Sequence, residues 1–176
     1  MKKLLFILLS FVLFTSSTMV KPGDSEEANA KIKAIYIYNF TKYIEWPESY
    51  QEGSFVIGYI GNNTALLTEL SKLAASKKAG NQSIEIRNIS KLDDNSKYHI
   101  IFILADNSTQ LAEVLAKTKG KSTLIVTEKP GLAQKGAGIN FIVEDNKQKI
   151  ELSKENISKY KLKVAETLVK LSNPVN

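Results

Sequence analysis

The 176-residue chain has no cysteine, one histidine (His99) and one arginine (Arg87). The missing cysteine excludes disulfides, thiol catalysis, Cys-based zinc sites and redox switching. It also excludes a bacterial lipoprotein anchor, which needs a cysteine just after the export signal. One histidine cannot build a His-rich metal site, and a Ser-His-Asp triad would have only His99 to use. Positive charge is almost entirely lysine, and removing Lys2 and Lys3 takes the formal charge from +6 to +4. A nucleic-acid binder would cluster its basic residues and include arginine, so that class is excluded.

Long apolar runs are scarce. The one present, Leu4 to Phe14, is broken only by Ser10 and follows Met1-Lys2-Lys3. Thr15-Ser16-Ser17-Thr18 after it is a small-residue stretch suited to cleavage. Residues 1–19 therefore read as a secretory signal peptide. The run is too short to span a bilayer, which takes about 20 residues. About 155 residues remain (20–176), one domain's worth, enough to bury about two-thirds of the unfolded surface. The mature protein is expected to be soluble and exported.

Asp24 to Glu45 reads as a helix, with capping-box spacing at Asp24-Ser25-Glu26-Glu27 and a stop at Trp46-Pro47. Its apolar residues Ile32, Ile35, Tyr36, Ile37, Phe40, Tyr43 and Ile44 spread over more than half the circumference. A helix packed on one side needs a narrower stripe. It is either buried on two sides, or buried on one and used for a partner on the other.

Ser54 to Ile60 is a strand ending at the Gly61-Asn62-Asn63 turn, and Thr64 caps a helix with Leu66, Leu70, Leu73 and Ala74 on one face. Ser83 to Ile89 alternates as a half-exposed edge strand. Asp93-Asp94-Asn95 is a loop. Tyr98 to Leu104 and Ser122 to Thr127 read as strands covered on both faces, separated by a short helix capped at Asn107-Ser108. A loop from Glu128 to Gly138 leads to two strands, Ile139 to Val143 and Lys149 to Leu152, around Asp145-Asn146. Ser153 caps a last helical stretch, with Leu162 and Val169 off its stripe implying a kink or two short helices, and Asn173-Pro174 ends it. The predicted fold is one α/β domain: a mixed, largely parallel sheet flanked by helices, with a C-terminal hairpin and helix.

Chemistry-bearing groups are few. The turn at Gly58-Tyr59-Ile60-Gly61 lacks both the third glycine of a dinucleotide fingerprint and the Gly-Lys-Ser/Thr of a P-loop, and reads as a tight strand-to-helix turn. His99 has no carboxylate at a recognisable spacing and reads as structural. Asp93-Asp94 lacks the alternating acids of a calcium loop. The lysines at 159, 161, 163 and 170 read as the wet face of a helix. No catalytic residue, metal site or cofactor is predicted. The aromatics of the first helix carry more: Tyr36, Phe40, Tyr43 and Trp46 combine apolar area with, in three of them, a polar tip, as interface anchors do. The 130–138 loop is longer than a strand connection needs, which marks Pro130, Gly131, Leu132, Gln134, Lys135 and Gly136 as candidate partner- or ligand-binding residues.

Three segments resemble the YfiR family of secreted bacterial proteins. Tyr38-Asn39-Phe40-Thr41-Lys42-Tyr43-Ile44-Glu45-Trp46-Pro47 is similar to its Y-N-F-x-K-F/Y-x-E-W-P signature. Leu124 onward through Pro130-Gly131-Leu132-Ala133-Gln134-Lys135-Gly136-Ala137-Gly138-Ile139-Asn140-Phe141 is similar to its strand, P-G-F-A loop, glycine pair and I-N-F strand. Lys149-Ile150-Glu151-Leu152-Ser153, with Leu162-Lys163-Val164 and Leu168-Val169-Lys170-Leu171, is similar to its closing strand and helix. Leu132 and Ala137 depart from the usual phenylalanine and glycine. Many relatives carry cysteines where this chain has Gly58-Tyr59-Ile60 and Tyr98-His99.

The resemblance implies a periplasmic, non-enzymatic α/β domain. It also implies repression of a membrane diguanylate cyclase through the cyclase's periplasmic sensor domain, limiting cyclic-di-GMP and biofilm formation. An outer-membrane lipoprotein that sequesters the repressor and a homodimer are further implied partners. Two other readings compete: a small-ligand-binding sensory module acting with a membrane histidine kinase, and a hydrolase built on His99.

Overall fold

The computed structural model describes residues 22–175 apart from residue 94, and of residues 22–25 the backbone alone. The expected signal peptide (1–19) and the side chains of the Asp24-Ser25 half of the capping box lie outside the described residues, as does Asp94.

Helix α1 runs Pro22–Tyr43, starting two residues before Asp24 and stopping two before Glu45. Ile44–Glu45 instead form a two-residue strand, β1. The residue before Pro47 cannot be helical, and the backbone is drawn into extended pairing with Lys163–Val164 (β9) far along the chain. A 3-10 turn, Glu48–Tyr50, then leads to β2, Phe55–Ile60, buried at every position.

Helix α2, Thr64–Ser76, is capped by Asn63, whose side chain accepts the Leu66 amide at 2.8 Å. The cap is thus one residue earlier than the sequence suggests, and Thr64 is the first helical residue. β3 (Lys78–Ala79) and β4 (Gln82–Asn88) form a small hairpin, and β4 is half exposed as its alternation predicts. β5 (Ile100–Ile103) is fully buried.

After it, Asn107 and Ser108 do not cap a helix. They lie inside a 3-10 helix, Ala105–Gln110, that feeds straight into α3, Leu111–Lys117. The amide at the start of that turn is satisfied from a distance: Ala105 N–H donates to Glu128 Oε1 at 3.0 Å.

β6 (Leu124–Thr127), β7 (Ile139–Glu144) and β8 (Lys147–Leu152) follow, the last two joined at Asp145-Asn146, both at positive φ. Asn and Asp tolerate that backbone region, which the two-residue hairpin demands. The closing stretch is two short helices, α4 (Lys154–Lys159) and α5 (Glu166–Lys170), with β9 between them. Asn173–Pro174 is no mere helix stop. It forms β10, a parallel edge strand on β8, where a residue without N–H is tolerated.

The main sheet has eight strands in the order β10-β8-β7-β6-β5-β2-β4-β3. β4, β2, β5, β6 and β7 pair in parallel; β8 returns antiparallel to β7. Strands β2, β5 and β6 are covered on both faces, which is why their sequences are unbroken apolar runs. From β2 the chain crosses over through α2 to β4 on one side; from β5 it crosses through α3 to β6 on the other. Right-handed crossovers in opposite directions put α2 and α3 on opposite faces of the sheet. α1 packs against α2 and so shares its face. The elements make one domain, and among the described residues no helix is long and apolar enough to cross a membrane.

Candidate interaction surfaces

The wide apolar arc of α1 resolves into two parts. Ala30, Ala34, Ile37 and Phe40 are buried; the two alanines allow close approach to neighbouring elements, while Phe40 lies over the sheet. Phe40 and Phe141 (β7) have ring centroids 6.1 Å apart, and Phe102 (β5) meets Phe141 at 5.5 Å. Phe40 is 0% exposed and Trp46 6%. Trp46 Nε1–H donates to the His99 carbonyl at 3.3 Å and sets its ring edge-on to Phe55. As partner anchors these two residues are therefore corrected: both are core, because the sheet needs large rings to fill the space beneath α1 and its exit.

Tyr36 and Tyr43 are half-buried. Tyr36 packs edge-on against Phe141 at 5.8 Å and keeps part of its ring outside. At about 100° per residue, Tyr36 and Tyr43 share one side of the helix with Ile32 and Ile35. Those isoleucines are 39% and 43% exposed, two of four large apolar side chains left in water among the described residues. Val143 is another, at 72%. It stands two residues past Phe141 on the same sheet face, toward the end of α1 that carries Ile32. Ile32, Ile35 and Val143 escape a sequence search for anchors, because nothing local separates the outward part of the arc from the inward part.

The loop after β6 is anchored, not free. Leu132, Ala133 and Ala137 are buried; Pro130, Gln134 and Lys135 are exposed, and Gly131 and Gly136 are intermediate. Leu132 as an exposed contact is therefore corrected: it is buried beneath the loop, at the bottom of the groove against α3. Asn156 of α4 holds the loop's main chain, donating from Nδ2 to the Ala133 carbonyl at 2.8 Å and the Ala137 carbonyl at 3.0 Å. Gly136 sits where a Cβ would lie 2.8 Å from Leu115 Cδ1, so the loop backbone runs directly over α3. At its entrance, Asn140 joins β6, β7 and β8: Oδ1 accepts from Thr127 Oγ1 at 2.7 Å and Nδ2 donates to Glu151 at 2.8 Å.

His99 is fully buried and both ring nitrogens are occupied by backbone. Nδ1 accepts the Val56 amide at 3.0 Å, which leaves Nε2–H to donate to the Tyr50 carbonyl at 2.7 Å. Phe55 stacks on the ring at 4.2 Å. Burial pushes its pKa down to about 4, against the opposing pull of the Tyr50 carbonyl. A neutral ring with no spare nitrogen cannot relay a proton to a nucleophile.

The turn after β2 is equally structural: Gly61 has a φ of +128°, and a Cβ there would fall 2.6 Å from Asn107 Oδ1. A Cβ on Gly58 would fall 2.4 Å from Ile89 Cδ1 and 2.8 Å from Tyr98, so this glycine is there to let two side chains in. Near the C-terminal ends of the strands, Lys33 of α1 pairs with Glu128 at 2.5 Å, the carboxylate that also caps Ala105.

What the geometry offers, then, is a rigid α/β platform with a half-exposed apolar helix face and an ordered loop, with no assembled reacting group around its histidine. The YfiR/HmsC-like family profile (DUF4154) matches residues 30–173, and the chain belongs to this family. No curated protein matches it. The family is one of periplasmic, non-catalytic signalling regulators, and membership supports a role in the control of diguanylate cyclases in general.

Proposed function

We propose that residues 1–19 are a cleaved export signal and that residues 20–176 act in the periplasm as a repressor. The domain binds the periplasmic sensor domain of an inner-membrane signalling protein, first of all a diguanylate cyclase, and limits cyclic-di-GMP synthesis and biofilm formation. The observation that carries this reading is the outward face of α1, where Ile32 and Ile35 stand in water beside half-buried Tyr36 and Tyr43.

A protein with nothing to react acts only by binding one state of its target more tightly than another. Driving a target from mostly on to mostly off takes about 5.5 kcal/mol of differential affinity. Burying what Ile32, Ile35 and Val143 still expose contributes about 2–5 kcal/mol toward that, and the outer edges of Tyr36 and Tyr43 add to it. An outer-membrane lipoprotein, or a second copy of the chain, that covered the same face would release the cyclase by mass action.

The test is binding of the purified mature chain to the isolated periplasmic domain of the cyclase, with and without Ile35→Asp. Binding in the wild type and its loss in a variant that melts at the wild-type temperature support the proposal. In cells, deletion of the gene raises cyclic-di-GMP and surface attachment; unchanged levels overturn the cyclase reading.

A further inference from the structure

We infer that the groove between α3 and the 130–138 loop is a binding site for a small carboxylate with an apolar body. It measures about 350 Å³, within the range of small-ligand pockets. Its floor is apolar, made by Leu111 and Leu115 of α3 and by Leu132 from the loop. Its rim carries Lys129 and Lys135, and Ser108 of the 3-10 turn also lines it.

The charge is one-sided. None of the residues lining the groove is acidic, and neither lysine has an acid partner among the described residues. Several other lysines of the domain do have acid partners, as in Lys154–Glu166 and Lys159–Glu155. Here two ammonium groups flank an apolar floor with nothing to neutralise them. The ligand that complements this pattern has an anionic end and a hydrophobic end.

The walls are already in place. Asn156 pins the loop at two carbonyls, Leu132 is sunk into the core, and Gly136 rests on Leu115. A site whose walls are fixed before binding loses little freedom on binding. Because α3 lies on the opposite face of the sheet from α1, a ligand here leaves the outward face of α1 open.

The experiment is a calorimetric titration of the mature chain with phenylpropionate, phenylpropionamide and acetate, repeated on the Lys129→Gln/Lys135→Gln double variant. Both lysines are exposed, so the variant keeps its fold, which its melting temperature confirms. Phenylpropionate is expected to bind, the amide about fivefold more weakly, and acetate not measurably. The double substitution should cost phenylpropionate about fivefold, the worth of two partly exposed ion pairs, and leave the amide unchanged. Equal binding of acid and amide, an unaffected double variant, or no binding of phenylpropionate would each overturn the inference, and none bears on the α1 surface.

Discussion

The Val56 amide donates to His99 Nδ1, and that single bond fixes which nitrogen of the ring carries the proton. The other nitrogen must then be the donor to the Tyr50 carbonyl, and the imidazole is locked neutral between two strands and the 3-10 turn that ends at Tyr50.

A pH dependence follows from this locked ring. The folded pKa of about 4 lies below the ordinary histidine value of 6.5. Between those two values the unfolded chain takes up a proton that the native state refuses, so stability falls as pH drops from 6.5 toward 4. Above 6.5 the ring contributes no slope. The full loss is about 3 kcal/mol, and urea midpoints measured at pH 7.5 and 4.5 should differ accordingly. In a His99→Asn variant, lower in stability throughout, that part of the acid sensitivity should vanish. A wild-type midpoint that is flat over this range would refute the locked-neutral assignment.

Phe40 and Ile35 sit one and a half turns apart on α1 and should behave in opposite ways. Phe40→Ala empties a site beneath Tyr36 and Phe141 and is expected to cost about 3–5 kcal/mol, read as a lower thermal midpoint. Ile35→Asp lies on the outward face and should move stability by under about 1 kcal/mol. A collapse in the Ile35 variant would mean that the residue is core and not surface.

Glu128 has two jobs and Lys33 one, which predicts an asymmetry. Lys33→Ala removes one side of a partly exposed ion pair, worth under about 1 kcal/mol. Glu128→Ala also strips the acceptor from the Ala105 amide at the start of the 3-10 turn and should cost about 1–2 kcal/mol. The double variant should resemble Glu128→Ala alone in a denaturation cycle. If the two single losses were equal, the cap would be contributing nothing.

Much of this architecture is legible in the sequence, and the limits have physical causes. β2, β5 and β6 announce themselves as apolar runs because a parallel strand covered on both faces has no polar side to show. The β7–β8 hairpin is written in Asp145-Asn146, two residues that accept positive φ. By contrast, β1, β9 and β10 are two-residue strands whose only cause is a partner far away in the chain. Ile44 and Glu45 continue the periodicity of α1 until Val164 and Lys163 claim them.

The candidate surface was half legible for the same reason. The arc of α1 shows that two sides are apolar, but Phe141 decides that Phe40 turns inward, and His99 decides it for Trp46. Leu132 reads as an exposed loop residue until Asn156, arriving from α4, ties that loop down.

Asn156 is the residue on which the loop's order turns. Its side-chain amide is buried and satisfies two carbonyls of the loop, while its own main-chain amide is capped by Ser153 at 3.3 Å. Asn156→Ala leaves both loop carbonyls without that donor in a buried setting, at a cost of about 1–3 kcal/mol. The loss should fall locally first, since the other bonds at the exposed Gln134–Lys135 tip are short-range turns within the loop, such as Lys135 N–H to the Leu132 carbonyl, and local opening precedes global unfolding. Limited trypsin digestion under native conditions should therefore cut after Lys135 at least several times faster in the variant, at a temperature where circular dichroism is unchanged. Asn156→Asp provides the contrast, because it keeps the shape of the side chain but offers oxygens to carbonyls that need a donor. It should be cut at least as fast as the alanine variant. If cleavage after Lys135 stayed at the wild-type rate in both, the loop would be ordered by something other than Asn156.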